Sequence, residues 1–370
     1  MKYLWDNFAL SLIFTLAALI LAGWLGYSGG GLWAGAFSMI FLAAVLGVME
    51  TSLSLDNAVV NASVLKDMDP VWQQRFLTWG ILIAVFGMRI VFPVLIVAFA
   101  AWVSPWEAIT IAISDRELYE ETVTNAHIGI SGFGGVFLLL VGLTFFFDED
   151  REHLWLAPIE KPLAFLARIP LAPYLFTAAA LGGLCLLVEG ADRTTFLIAG
   201  FSGLATYFAV SLIGTFLDGD VDEATGQVAR SGAGGFIYLE FLDASFSFDG
   251  VIGAFAITND ILLIALGLGI GAMFVRSMTI ALVKGGTLTQ FRFLESGAFY
   301  AIIGLACIML ASIRFHVPEV VTGLLGATII GIALWHSVLH KKRFPELYAE
   351  DGDGEAILPS SAVLKDIHTQ

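Results

Sequence analysis

The sequence predicts an all-α protein, a polytopic bundle of about ten transmembrane helices built around two repeats of inverted topology. Three observations carry that expectation. Hydrophobic residues make up 58% of the 370 and charged residues only 14%, where a soluble domain carries roughly 25% charged. Apolar windows long enough to cross a hydrocarbon core of about 30 Å recur along the whole chain. An acid-x-Ser-x-Ser-x-Asp motif occurs twice, each time inside such a window.

The windows run over 8–26, 33–63, 77–103, 127–147, 173–189, 194–217, 234–257, 260–283, 295–313 and 318–340. The first follows a single Lys2 and no small-x-small cleavage site follows it, so it reads as a retained span. The second is long, which predicts either a tilt or an irregular end near Ser54–Asn61. The fifth is short, and the fifth and sixth could together form a re-entrant hairpin. The loop 104–126 carries Glu107, Asp115, Glu117, Glu120 and Glu121 against Arg116 alone. Its spacing suggests a short amphipathic surface helix, either a solvated acidic loop or a vestibule that collects cations. The segment 148–173 mixes charges with Trp155 and prolines and reads as an interfacial linker. Residues 1–343 thus form one transmembrane domain, with repeat one at about 33–147 and repeat two at about 234–313. The acidic tail 344–370 contains Gly and Pro and is expected to be disordered.

Lys and Arg divide unevenly between the two sets of connections. Twelve fall on the side of Lys2, Lys66, Arg75, Arg151, Lys161, Arg168, Arg230, Lys284, Arg292 and Lys341–Arg343, and three (Arg116, Arg193, Arg314) on the other. The positive-inside rule then places both termini in the cytoplasm of a bacterial inner membrane. The net charge of −15 argues against nucleic acid as a partner, since phosphate binding needs clustered Lys and Arg. It is compatible with attracting cations. Cys185 and Cys307 both lie in apolar windows, so no disulfide framework is present.

The first motif copy is Glu50-Thr-Ser52-Leu-Ser54-Leu-Asp56-Asn57 and the second is Asp243-Ala-Ser245-Phe-Ser247-Phe-Asp249-Gly250. One span after each stands an arginine, Arg89 or Arg276, nine residues beyond a glycine, Gly80 or Gly267. The copies lie an odd number of spans apart, so they cross the bilayer in opposite directions, as in many secondary transporters. The oddness survives if spans five and six form a hairpin; a single crossing there would make the copies parallel.

A carboxylate at the centre of a span costs roughly 2.5–3.5 kcal/mol on the insertion scale. Four of them, Glu50, Asp56, Asp243 and Asp249, would cost on the order of 10–14 kcal/mol unpaired, as much as the whole stability of a domain. They must face one another, the arginines, water or a bound cation. Glu50 and Ser54, Ser52 and Asp56, Asp243 and Ser247, and Ser245 and Asp249 are each four apart and share a helix face, with Glu240 one turn earlier. The donors are carboxylate, hydroxyl and amide oxygens, Asn57 and Asn61 among them, with no Cys or His. Such a set suits a hard divalent cation such as Mg²⁺, Ca²⁺ or Mn²⁺, and proton or Na⁺ exchange as well. Arg89 and Arg276 are either competitors that pair with the carboxylates when no ion is bound, or static partners. Buried Ser and Asn also serve as glue between helices.

Other polar residues are weaker candidates. Glu295 and His127 begin helices, Glu189 and Asp192 sit at a span end, and His336 and His340, four apart, precede the basic Lys341-Lys342-Arg343. The glycine-rich runs 26–31, 129–135 and 267–271 permit close helix packing, and none is followed by a phosphate-loop Lys-Ser/Thr.

The paired motifs, together with Glu240-Phe-Leu-Asp-Ala-Ser-Phe-Ser-Phe-Asp-Gly-Val-Ile-Gly-Ala-Phe-Ala and His127-Ile-Gly-Ile-Ser-Gly-Phe-Gly-Gly, resemble the TerC family of integral membrane proteins, in its longer branch. The likeness covers about 33–313. It implies a role in manganese efflux, metal homeostasis or tellurite resistance, with Glu50, Asp56, Asp243 and Asp249 at the metal site and Mn²⁺ as substrate rather than cofactor. The chain departs from the short family form in its extra spans, its acidic 104–126 loop and Gly250 in place of the asparagine of the first copy. The leading expectation is a secondary transporter, in the export direction, with no enzymatic activity. A second is a non-transporting protein that supports membrane-protein assembly or stress response through partners. An intramembrane hydrolase would need a nucleophile–base pair or paired catalytic Asp in a suitable motif; the repeated acids invite that reading, but the sequence carries no recognised protease signature.

Overall fold

The computed structural model describes residues 2–345 apart from 30, 92–93, 96, 99–102, 149–150, 152, 170, 219–231, 256, 259 and 316. Among the described residues all regular structure is helical. The acidic tail expected to be disordered lies, from residue 346 onward, outside the described residues, as does Arg230.

The chain runs through α1 (Lys2–Ser28), α2 (Trp33–Leu53), α3 (Leu55–Leu65) and α4 (Pro70–Leu82), which passes into a π-helical segment, Ile83–Val91. Then come α5 (Pro105–Ser114), α6 (Arg116–Asn125), α7 (His127–Phe146), α8 (Ala157–Leu166), α9 (Ala172–Cys185) and α10 (Gly190–Asp218). The last four long helices are α11 (Ala233–Phe255), α12 (Ile261–Lys284), α13 (Leu294–Ser312) and α14 (Glu319–Arg343).

Among the described residues, seven helices are long and apolar enough to cross a membrane: α1, α2, α7, α10, α12, α13 and α14. An eighth is available if α4 and the π-helical segment, bent by 44° at their junction, form one span. The other two windows hold helices of a different kind. In the fifth window α9 has 14 residues, a length of about 21 Å that falls short of the hydrocarbon core. In the seventh, α11 has 23 residues whose apolar run is interrupted by Glu240, Asp243 and Asp249.

The long second window is broken rather than only tilted. Ser54 leaves helical geometry at φ −103°, ψ 25° and separates α2 from α3. Each motif-bearing helix packs on the arginine-bearing segment of the other copy: α2 on α12, and α11 on the π-helical segment and α4. The third helices, α7 and α13, pack on each other, with Phe145 and Phe299 stacked at 3.7 Å between ring centroids. Between α2 and α12 the contact is close because it is made by small residues: a Cβ on Gly47 would meet Ile270 at 2.8 Å.

The acidic 104–126 segment is a docked helical hairpin rather than a solvated loop. Ser104 and Glu107 form a capping box that starts α5. Ala108, Ala112, Tyr119 and Val123 are buried against Val251, Ala254 and Phe255 at the end of α11, with the Tyr119 and Phe255 rings 6.0 Å apart. The carboxylates of Glu107, Asp115, Glu117 and Glu121 are exposed.

The interfacial linker is likewise tied down. Glu160 is fully buried, accepts hydrogen bonds from the backbone N–H of Trp155 and Leu156 at 3.1 and 2.7 Å, and pairs with Arg151 at 2.7 Å. Trp155 Nε1 donates to His336 Nδ1 at 2.9 Å, which occupies one nitrogen of that histidine pair. Glu295 pairs with Lys66 at 3.0 Å, and His127 bonds Ser131 at 3.2 Å.

Candidate functional site

The polar residues of the two motifs meet inside the bundle. On α11, Glu240, Asp243, Ser247 and Gly250 fall at i, i+3, i+7 and i+10, one continuous stripe of an α-helix. On the other side of the site, Glu50 closes the last turn of α2, and Asp56 and Asn57 open the first turn of α3. The break at Ser54 aims residues from both sides of it at α11.

Two contacts join the copies, and a third ties the bridging arginine to the first motif. Asn57 Nδ2 donates to Asp243 Oδ1 at 2.8 Å. Arg89 Nη2 donates to Glu50 Oε1 at 2.5 Å, and Arg89 Nη1 donates to Ser247 Oγ. One guanidinium thus bridges an acid of the first motif and a hydroxyl of the second. Glu50 is 3% exposed and Arg89 5%. Removing one partner of such a buried pair costs about 3–5 kcal/mol, because the other charge is left uncompensated. Ser54 Oγ adds a hydrogen bond to Glu50 Oε1 at 3.3 Å.

Glu50 fits because two glycines face it. A Cβ on Gly271 of α12 would overlap its side chain, and a Cβ on Gly250 of α11 would overlap its Oε2. Gly250, which stands where the first copy has Asn57, is therefore room for the other copy's carboxylate. The repeated glycine–arginine spacing did not disclose this, because the partners of Gly250 and Gly271 lie on a helix about 200 residues away in sequence.

The second arginine is held differently. Arg276 stacks over Phe76 at 3.9 Å to the ring centroid, and its Nε and Nη2 have no hydrogen-bond partner. Glu240 Oε1 is also buried without a partner. Both groups abut Gly80 of α4, where a Cβ would sit 2.7 Å from Glu240 Oε1.

Two predicted site residues do not take part. Ser52 is exposed on the outer face of α2 and its hydroxyl donates to its own helix at Val48 O, 2.7 Å. The predicted Ser52–Asp56 face assumed one unbroken helix; the break at Ser54 shifts Asp56 relative to Ser52. Ser245 is buried, but its hydroxyl donates to Phe241 O at 2.9 Å, and its backbone faces Gly134 of α7. In both copies the first serine turns away and the second, Ser54 or Ser247, faces the site. Asp249 lies on α11, and its side chain lies outside the described residues.

The four described carboxylates, Glu50, Asp56, Glu240 and Asp243, outnumber the guanidiniums of Arg89 and Arg276 by two. Among the described residues no three His, Cys, Asp or Glu side chains converge on one point as a ready metal cluster. The arrangement is an acid-rich interior in which one acid, Glu50, is held by a protein cation, Arg89.

Residues that the motifs did not reveal include Phe76 under Arg276, and Thr322, Gly323 and Gly326 of α14, which press on the helix break. A Cβ on Gly326 would come within 3.0 Å of Asp56 Oδ2. The only signal for them is a run of small residues on one face of an apolar span.

A family model described as protein of unknown function (DUF475) matches residues 55–344. The match spans most of the chain, from α3 to the end of α14, and the protein belongs to that family. No curated protein and no solved structure matches the chain.

Proposed function

We propose that this member of the family is a secondary transporter for a hard divalent cation. The observation that carries this is the joining of the two motif copies by buried side chains, Asn57 to Asp243 and Arg89 to both Glu50 and Ser247. A buried interior with more carboxylates than guanidiniums attracts a cation, and its oxygen donors suit Mg²⁺, Ca²⁺ or Mn²⁺. The resemblance to the TerC family selects Mn²⁺ and the export direction.

In this reading the copies are inverted repeats and the chain crosses the inner membrane about ten times with both termini in the cytoplasm. Support comes from the uneven split of Lys and Arg and from the crossed packing of each motif helix on the other copy's arginine segment. Substrate sites at the interface of such repeats are common to many transporter folds. Asp249 joins the site through its place in the second motif.

The test is Mn²⁺ flux into vesicles that hold the purified protein and an interior metal-sensitive dye. Wild type is expected to carry Mn²⁺ above protein-free vesicles, and Asp56→Asn and Asp243→Asn to fall at least tenfold. Background flux from folded wild type would overturn transport and favour an assembly or stress-response role. Full flux in both variants would remove these residues from the site and leave transport standing.

A further inference from the structure

The polar interior is divided in two, and Glu50 and Ser54 line both parts. The smaller cavity, of about 10 Å³, lies on the arginine side with Asn57, Asn61, Asp243, Arg89 and Arg276. The larger, of about 30 Å³, lies toward α14 and is lined by Glu50, Leu53, Ser54, Asp56, Phe246, Gly250, Leu305, Thr322 and Gly323. Among the described residues no cationic side chain lines the larger cavity. Its polar side chains are two carboxylates and the hydroxyls of Ser54 and Thr322.

Asp56 marks this cavity as more than a cluster of acids. It is 5% exposed, and the groups that hydrogen-bond its carboxylate are backbone N–H groups, Asn57 N to Oδ1 at 3.0 Å among them. No side chain among the described residues donates to it or pairs with it, and its Oδ2 lies beside Gly326 of α14. Burying a carboxylate that no side chain compensates is costly unless a cation or water completes it. Glu50 is placed to help: its Oε1 is taken by Arg89 and Ser54, while Oε2 lies against Gly250, a lining residue of the same cavity.

We propose that the larger cavity seats the divalent cation, that Thr322 supplies one of its oxygen ligands, and that Arg89 is a tethered cation which the ion displaces from Glu50. This rests on the transport reading above and adds a ligand from α14, a helix outside both motif copies. A cavity of this volume holds about two water-sized spheres, enough for one ion and a water. Two carboxylates, two hydroxyls and water form an all-oxygen shell of the kind hard cations take. Arg89 and the ion compete because each neutralises the same carboxylate. Loading therefore releases the guanidinium from Glu50 while it stays anchored on Ser247, so the carboxylate of the first motif passes from a protein cation to the ion.

The experiment is Mn²⁺ titration of the purified full-length protein in nanodiscs by calorimetry, with vesicle flux measured in parallel. Thr322→Val keeps the shape and removes the hydroxyl; it is expected to weaken Mn²⁺ binding roughly tenfold, the effect of about one lost polar contact to a charge. Thr322→Ser restores the oxygen and is expected to restore affinity. Arg89→Gln is expected to tighten binding at least tenfold while slowing flux. Ser247→Ala, which removes the second anchor of Arg89 and touches neither carboxylate, is expected to tighten it several-fold, and it decides the matter if Arg89→Gln does not fold. Unchanged affinity in Thr322→Val, or loss in Thr322→Ser equal to that in Thr322→Val, would overturn the Thr322 ligand. Unchanged affinity in Ser247→Ala and in any folded Arg89→Gln would overturn the competition. Absence of Mn²⁺ binding and flux in wild type would instead overturn the transport reading itself.

Discussion

Arg89 and Arg276 stand one helix after their motif, nine residues beyond a glycine in each copy, and the fold treats them in opposite ways. Both terminal nitrogens of Arg89 are hydrogen-bonded, Nη2 to Glu50 and Nη1 to Ser247, and only its Nε lacks a partner among the described residues. Arg276 lies on the face of Phe76 with two nitrogens unpartnered, beside a glutamate that also lacks a partner. The local cause is visible in the motif helices. In the first copy the chain breaks at Ser54, so that Glu50 ends one helix and Asp56 starts the next. In the second copy α11 runs through its motif unbroken, and Glu240 and Asp243 stay on one stripe. Two similar sequences thus build one closed ion pair and one unclosed one.

That contrast can be broken by removing each arginine in turn. Arg89→Gln is expected to destabilise the protein by about 3–5 kcal/mol, since it strands a buried Glu50. Arg276→Gln should cost about 1–2 kcal/mol, the scale of a desolvated cation–π contact. Thermal unfolding in mild detergent measures both, and equal losses would mean that the two arginines are held alike. A second, smaller effect comes from making the copies more alike. Gly250→Asn puts the first copy's residue into the second and drives a side chain into Glu50, with an expected cost of about 1–3 kcal/mol and reduced Mn²⁺ flux. Stability equal to wild type would show that Glu50 can move aside from Gly250 without cost. The smallest effect sharpens the comparison of serines. Ser52→Ala and Ser245→Ala should each stay within about 0.5 kcal/mol of wild type with flux unchanged. A flux defect in either would place a serine in the site that the geometry puts outside it.

Much of this was legible in the chain itself. The run of apolar windows specifies helices because a backbone in hydrocarbon must satisfy its own hydrogen bonds. The acids repeat at helical spacing, so Asp243 and Ser247 were assigned to one face and are found there. The long second window announced an irregularity near Ser54. Less legible was its consequence, since a break of one residue changes which side chains point inward; Ser52 was assigned to the site on the assumption of a continuous helix. The acidic 104–126 segment is helical and amphipathic, as its spacing suggests. What the spacing did not show is that its apolar face is docked on α11, because the buried Tyr119 and Val123 are too few to stand out in the composition.

The sequence by itself determined the class of the molecule and the chemistry of its interior. A chain with 14% charged residues cannot make a water-soluble surface, and acids inside apolar helices must be compensated. The tertiary structure decided which groups compensate which. Asn57 reaches Asp243, Arg89 reaches Ser247, and Gly250 and Gly271 admit Glu50, through contacts between residues 158 to about 220 positions apart. Compensation is a requirement on total charge, which can be counted along the chain. Pairing is a matter of a few ångströms across helix interfaces, and those distances exist only once glycines on neighbouring helices have set how closely the helices pack.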